Sequence, residues 1–288
     1  MPGIISAMLR RLLTLLSILP FMHIHAQEWE FGLQGGSSGY MGDLNPENPL
    51  AFNDWTAGAF VKYNIDPTWG IRGNFAYANL YAYDGNSRFE QRKERNLGFF
   101  GAVKEAAIVV DFNFFKWLPQ RGRIVYTPYI FAGVGGVEFN PKWYLPYTAG
   151  QSPQKVSLRE IQTEYDGENA RPYAKYAISI PFGAGFKYNL RGPWSVGIEL
   201  AYRLTLTDYL DDVSGNYFDF NKFDQPGYPK TPIVNNTGIN QNQWQAISNP
   251  GSFPVGTQRG DGRPYDSFMT VGITLSYTIF KGGCPEWQ

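Results

Sequence analysis

Histidine is nearly missing from this chain. Of 288 residues only His23 and His25 are histidines, and both fall in a segment that reads as a leader. Arg10 and Arg11 precede the apolar run Leu12–Met22, and the small residue Ala26 stands before Gln27. That is the basic, apolar and small-residue pattern of a secretory signal over residues 1–26. The run is too short for a stop-transfer helix, and no cysteine near the cut makes it a lipoprotein. With the leader removed no imidazole remains, which excludes Ser-His hydrolysis and His-ligated zinc. A non-enzymatic protein with no catalytic residues and no cofactor is expected.

Cysteine is scarcer still, with Cys284 the single thiol. Charged residues make up only 17 %, and losing Arg10 and Arg11 takes the net charge from 0 to −2. No basic face stands out, so nucleic acid is not an expected partner. Past the leader no stretch reaches about 18 consecutive apolar residues, so no transmembrane helix is expected. The chain is instead rich in aromatics, at 17 %, and in glycine, with 32.

What is present is alternation with a period of two. In WSVGIELAYRLTLT, Trp194, Val196, Ile198, Leu200, Tyr202, Leu204 and Leu206 share one face, and Glu199 and Arg203 lie on the other. Strands usually stop at about 5–6 residues; this apolar face is long enough to cross a bilayer when tilted. The pattern recurs in WEFGL, WTAGAFVKYNI, WGIRGNFAYANLY, AAIVVDFNFF, ISIPFGAGFKYNL and SFMTVGITLSYTIF. YTPYIFAGVGGVEF makes an eighth stretch, whose glycines leave its facing ambiguous.

IDPTW, KWLPQRGR and LRGPW join these stretches as short turns, whereas the connections before Trp55, around DGNSRFEQRKER, after Phe139 and after Thr207 are long. Short turns on one side and long loops on the other are the habit of outer-membrane barrels. Trp55, Trp69, Trp117, Trp194 and Tyr188 fall at strand ends, where amphipathic rings favour the headgroup region. The expected fold is therefore all-β: an eight-stranded antiparallel transmembrane outer-membrane β-barrel over residues 27–280, with short periplasmic turns and long extracellular loops in contact with outer-membrane lipids. A soluble sandwich or lipocalin-like barrel shares the alternation. The leader, the loop asymmetry and the small, charged second faces favour the membrane.

The polar faces gather Glu30, Lys62, Arg72, Asp111, Lys187, Glu199 and Arg203. A lumen of about eight strands is only wide enough for side chains, so these charges, Arg72, Asp111, Glu199 and Arg203 foremost, are expected to pair as a plug. A proton or ion path is the sharper alternative; an open pore is not expected. In TDYLDDVSGNYFDF, Asp208, Asp211 and Asp212 could ligate calcium, but the stretch lacks EF-hand spacing and its terminal glutamate, so ordinary loop acids are the expectation. The Asn-, Gly- and Pro-rich run that follows reads as surface loop folded over the barrel mouth. The three-residue RGD at Arg259–Asp261 carries little.

IPFGAGFKYNL and WSVGIELAYRLTLTDYLDDVSGNY, with EWEFGLQGGSSGYMGDLN and YTPYIFAGVGGVEFNPK, resemble the PorG family of Bacteroidetes outer-membrane proteins, components of the type IX secretion system. The resemblance spans essentially the mature chain; its most specific piece is the TDYLDDVS loop, with Asp208, Tyr209, Asp211 and Asp212. It implies an accessory, structural role, also linked to gliding motility. The barrel would tether a periplasmic ring of the lipoprotein PorK and PorN (GldK and GldN in gliding species), near other type IX components. The rival reading is a general OmpA- or OmpW-like barrel for adhesion or small apolar solutes. A membrane enzyme such as a lipid A acyl hydrolase or a phospholipase ranks last, for want of a histidine base.

An even strand count returns the chain to the side on which it began, so residues 281–288 are expected to hang in the periplasm. That compartment favours disulfides, and a bond from Cys284 has to be intermolecular. The resemblance makes the ring lipoprotein its partner.

Overall fold

The computed structural model describes residues 28–45, 48, 50–119, 123–146, 153–164, 172–219 and 239–279. The expected leader and the tail with Cys284 lie outside the described residues. Eight long strands run β1 (Glu28–Met41), β2 (Asp54–Asn64), β3 (Trp69–Tyr83), β4 (Gly98–Asn113), β5 (Tyr126–Phe139), β8 (Tyr176–Arg191), β9 (Trp194–Thr205) and β10 (Ser267–Ile279). A small hairpin, β6 (Lys142–Tyr144) and β7 (Lys155–Ser157), hangs from β4 through the pair Phe100–Lys142. Among the described residues three short α-helices sit in the long connections: α1 (Glu90–Arg95), α2 (Leu158–Ile161) and α3 (Gln241–Ser248). No helix among the described residues is long and apolar enough to cross a membrane.

Each long strand pairs antiparallel with its sequence neighbour among the eight, and β10 pairs with β1 to close the barrel. The register sets its shape. Stepping straight across from Trp29 leads through Tyr63, Ile71, Val110, Ala132, Phe182, Tyr202 and Met269 back to β1 at Gly39, 10 residues from the start. A stagger of this size goes with strands tilted about 35–45° from the axis. Closure leaves no unpaired edge, which hydrocarbon would not tolerate.

The faces are those of an inside-out soluble protein. Leu33, Phe75, Ile108, Val134, Ile198 and Ile273 stand outside with about 60 % or more of their surface exposed, while the interior is largely polar. The lower rim, at the short turns, carries Trp29, Tyr63, Trp69, Phe112, Trp194 and Tyr277 in contacting pairs. Trp55 stacks on Tyr77 at the opposite rim, with centroids 5.3 Å apart. Both girdles place amphipathic rings at headgroup depth.

Two expectations need correction and one open facing is settled. β1 runs on to Met41 rather than ending near Leu33, so its loop is shorter than the sequence implied. In β5 the ambiguity resolves with Thr127, Tyr129, Phe131, Val137 and Phe139 inward and Ile130 and Val134 outward. Trp117 is not in the girdle. Its backbone N–H donates to the Pro67 carbonyl at 2.9 Å, and this folds the β4–β5 connection under the barrel and buries the indole.

Small and large residues alternate to fill the lumen. Gly32 faces the Phe60 ring so closely that an added Cβ would lie 2.2 Å from it, and Gly185 meets the Tyr129 ring at 2.4 Å. Side chains there would evict the two aromatics from the interior.

Candidate functional site

Two layers fill the barrel from bottom to top. The lower is ionic. Lys62, Arg72, Lys187 and Arg203 meet Glu30, Glu105, Asp111 and Glu199, all 6 % exposed or less. They are inward because each lies at an even spacing from its inward neighbours on a two-residue repeat. Lys62 Nζ lies 2.7 Å from Asp111 Oδ2, and Arg72 Nε 3.4 Å from Asp111 Oδ1. Arg72 Nη1 lies 2.7 Å from Glu199 Oε2, which also accepts from the Tyr129 hydroxyl at 2.8 Å. Higher up, Arg203 donates through Nε to Glu105 Oε2 at 2.7 Å and through Nη1 to Thr270 Oγ1 at 2.6 Å; Ser179 Oγ donates to Glu105 Oε1 at 2.9 Å.

Aromatic faces complete the cations' surroundings. The Arg72 guanidinium lies 4.8 Å from the Phe131 centroid, and Lys187 Nζ lies 4.8 Å from that of Trp117. Buried charges persist only when paired and hydrogen-bonded. Lys62, Arg72 and Arg203 meet that condition through Asp111, Glu199 and Glu105, while Glu28 adds a fifth buried carboxylate at the lower end of the same inward face.

The upper layer is built by the long loops. Leu44, Leu97, Leu158, Ile161, Leu210, Val213, Ile239, Trp244 and Ile247 pack on Tyr40, Leu80, Phe99, Phe139 and Phe268 from the strand ends. α3 starts at a capping box in which Asn240 and Gln243 bond each other's backbone N–H. It buries Trp244, whose indole N–H donates to the Ile161 carbonyl at 2.7 Å. The part of the surface-loop stretch that is described thus does fold over the mouth, as a helix.

Two arginines pin the loops together. Arg95 makes a bidentate pair with Asp84 at 2.7 and 2.8 Å and donates to the carbonyls of Arg259 and Asp43. Arg259 pairs with Glu164 at 2.7 Å and donates to the Asp212 carbonyl at 2.7 Å. Burial works against the Arg259 charge, but Glu164 and Asp212 outweigh it and hold the guanidinium protonated. This arginine begins the RGD triplet and is 3 % exposed, so the triplet is unavailable as an adhesion motif.

The TDYLDDVS loop enters this cap with its acids pointing apart. Asp211 Oδ2 lies 2.6 Å from the Tyr40 hydroxyl, whose oxygen is 2.7 Å from Asp266 Oδ1. A phenol has one hydrogen, so one of these contacts needs a proton on the carboxyl. Burial, then Asp266, pushes Asp211 well above the usual range. Burial, then Asp211, raises nearby Asp43 to about 9. Asp212 turns the other way, accepting from the Thr163 hydroxyl and, at 2.9 Å, from the Tyr173 hydroxyl; burial lifts it to about 7. Tyr173 stacks on Tyr209 with centroids 4.5 Å apart. Half-buried Asp208 is raised to about 6, chiefly by burial.

These aspartates share no common point, and no group of three or more His, Cys, Asp or Glu is placed to hold a metal among the described residues. They are structural acids holding the cap rather than the ordinary loop acids expected. Sequence reading missed Glu105, Tyr129, Asp43 and Asp266. Glu105 alone carried a signal, standing six residues before Asp111 and so in its phase.

Polar core, lipid-facing exterior, paired girdles and one-sided loops define a small outer-membrane-type β-barrel, closed below by ion pairs and above by its own loops. The chain belongs to the family described as Domain of unknown function (DUF6089), whose profile matches residues 9–228.

Solved barrels are similar at low identity. A major outer membrane protein of Thermus thermophilus matches at 13 % identity and TM-score 0.41, over 88 % of this chain and 100 % of that one. Neisserial surface protein A matches at 8 % and 0.39, over 86 % and 95 %. OprG of Pseudomonas aeruginosa matches at 10 % and 0.38, over 88 % and 96 %. No curated protein matches the chain in sequence.

Proposed function

We propose that this barrel is a non-enzymatic structural subunit of a type IX protein secretion system, tethering a periplasmic ring of PorK and PorN type (GldK and GldN in gliding species) to the outer membrane. The closed lumen carries this reading. A lumen crossed by ion pairs and capped by packed loops is not built to pass solute or polypeptide, and we assign its work to its surfaces and ends. The TDYLDDVS loop and the glycine-aromatic strands that resemble the PorG family supply the particular machine. The shared rim of the short turns and both strand termini supports a periplasmic side for the tail, where Cys284 bonds the ring lipoprotein.

The test is gentle detergent extraction from the native cell, followed by purification on the barrel. Ring lipoproteins recovered with the wild type support the tether. The barrel recovered alone sinks it and leaves a general OmpA- or OmpW-like barrel.

A further inference from the structure

One wall of the barrel differs from the rest at the long-loop end. Tyr77, Lys104, Glu138 and Tyr176 stand directly side by side across β3, β4, β5 and β8, all facing outward. Below them the wall is apolar, with Phe75, Ile108, Val134 and Ile178 exposed. Above them the β6–β7 hairpin adds Lys142 and Lys155. Lys155 Nζ is held over the rings of Phe100 and Tyr144, 5.1 and 5.7 Å from their centroids.

Lys104, Lys142 and Lys155 line a single groove of about 530 Å³ with Tyr77, Asn79 and Phe100. Of its two acids, Glu138 is taken up by Lys104 within the groove, at 3.2 Å, and by Lys175 beside it, at 3.7 Å; Asp54 accepts from the Trp55 N–H at 2.8 Å. No carboxylate pairs with Lys142 or Lys155 among the described residues. A second groove of about 450 Å³ adjoins higher on the same strand, past Tyr81 and Tyr83, and is lined by Asn45, Asn48, Asn53 and Asn86.

We propose that this wall binds a phosphorylated glycolipid of the outer leaflet. Its acyl chains lie on the apolar belt, its phosphate meets Lys142 and Lys155 beside the Lys104–Glu138 pair, and its sugar occupies the amide- and phenol-lined groove above. The order of the three surfaces carries the assignment. Apolar, cationic and hydroxyl-binding zones follow one another along one strand in the sequence in which such a lipid presents its parts. Ammonium groups at the membrane surface attract anionic headgroups without further pairing, and free phosphate would use only the middle zone. The site is independent of the secretion reading and needs only that the barrel span the outer membrane with its long loops outside.

The experiment measures binding of lipid A carrying two phosphates to the purified folded barrel in detergent, beside the same lipid dephosphorylated and inorganic phosphate alone. The Lys142→Gln/Lys155→Gln variant is expected to bind the phosphorylated lipid about 10- to 30-fold more weakly. Lys116→Gln, at the opposite rim, is expected to bind it unchanged. Both lysines are exposed, and the gel shift of the unheated barrel verifies folding. Equal binding of the dephosphorylated lipid, equal affinity for inorganic phosphate, or an unaffected double variant would each overturn the proposal. Equal weakening by Lys116→Gln would reduce it to a general charge effect and overturn the local site.

Discussion

Arg72 of β3 reaches straight across the lumen to Glu199 of β9, with Nη1 2.7 Å from Oε2. These strands stand four apart in a ring of eight, so the pair spans the full diameter of the barrel. One ion pair therefore braces opposite walls and occludes the axis between them.

Breaking that strut should be costly. Removing one partner leaves the other charge buried and uncompensated, about 3–5 kcal/mol. Glu199→Ala is expected to lower stability by that amount in reversible urea unfolding followed by tryptophan fluorescence. A loss under about 1 kcal/mol would match an exposed pair and mean that the lumen is wet.

The same plug is expected to block conduction. Purified barrel in a planar bilayer should show no steady channel, with the full set of lumen charges intact. Sustained ion current from the wild type would contradict the closed interior and revive the ion-path alternative.

The cap should tighten in acid. Asp43, Asp211, Asp212 and Asp266 titrate higher in the folded cap than in open chain, so the folded form binds more protons. Their contribution is complete below the ordinary carboxylate value of 3.8. It is lost as pH rises through about 7 for Asp212 and about 9 for Asp43. Asp43 feels Asp211 and Asp261, and Asp211 feels Asp266 and the Arg95 cation. Amide protection across residues 206–219 and 239–266, taken relative to the intrinsic exchange rate at each pH, should fall from pH 5 to pH 9, and Asp43→Asn should flatten the upper part of the fall. Protection that holds or rises toward pH 9 would reverse the sign and refute the shared-proton reading.

Arg259 should matter to the cap and not to the barrel. Arg259→Ala removes the clasp between Glu164 and the Asp212 backbone and leaves every strand pair in place. Faster proteolysis within the long loops is expected, with an unchanged gel shift of the folded barrel. Loss of the shift as well would show that the cap is needed for closure.

Cys284 gives the secretion reading its covalent test. A band on a non-reducing gel of native membranes that collapses on reduction and is missing in Cys284→Ser is the expected result. A thiol that alkylates freely in intact cells would remove the disulfide from the proposal.

Much of this was legible in order. Which way Lys62, Arg72, Asp111, Glu199 and Arg203 point follows from counting by two along one strand. Trp117 was misplaced because its indole direction depends on a hydrogen bond to Pro67, 50 residues earlier. Glu105 was passed over because Gly98–Val103 breaks the aromatic alternation that marks the rest of β4. The cap acids looked like solvated loop residues, since nothing near Asp211 in the chain announces Tyr40 or Asp266.

The sequence by itself determined the strands, their inward and outward faces, and the two-sided loop plan, because a period of two and the signals of turns are local. Only the tertiary structure decided which charge meets which, that Arg72 braces Glu199, and that the TDYLDDVS acids are buried latches. Those pairings depend on a stagger of 10 residues accumulated around eight strands, a quantity no single segment contains.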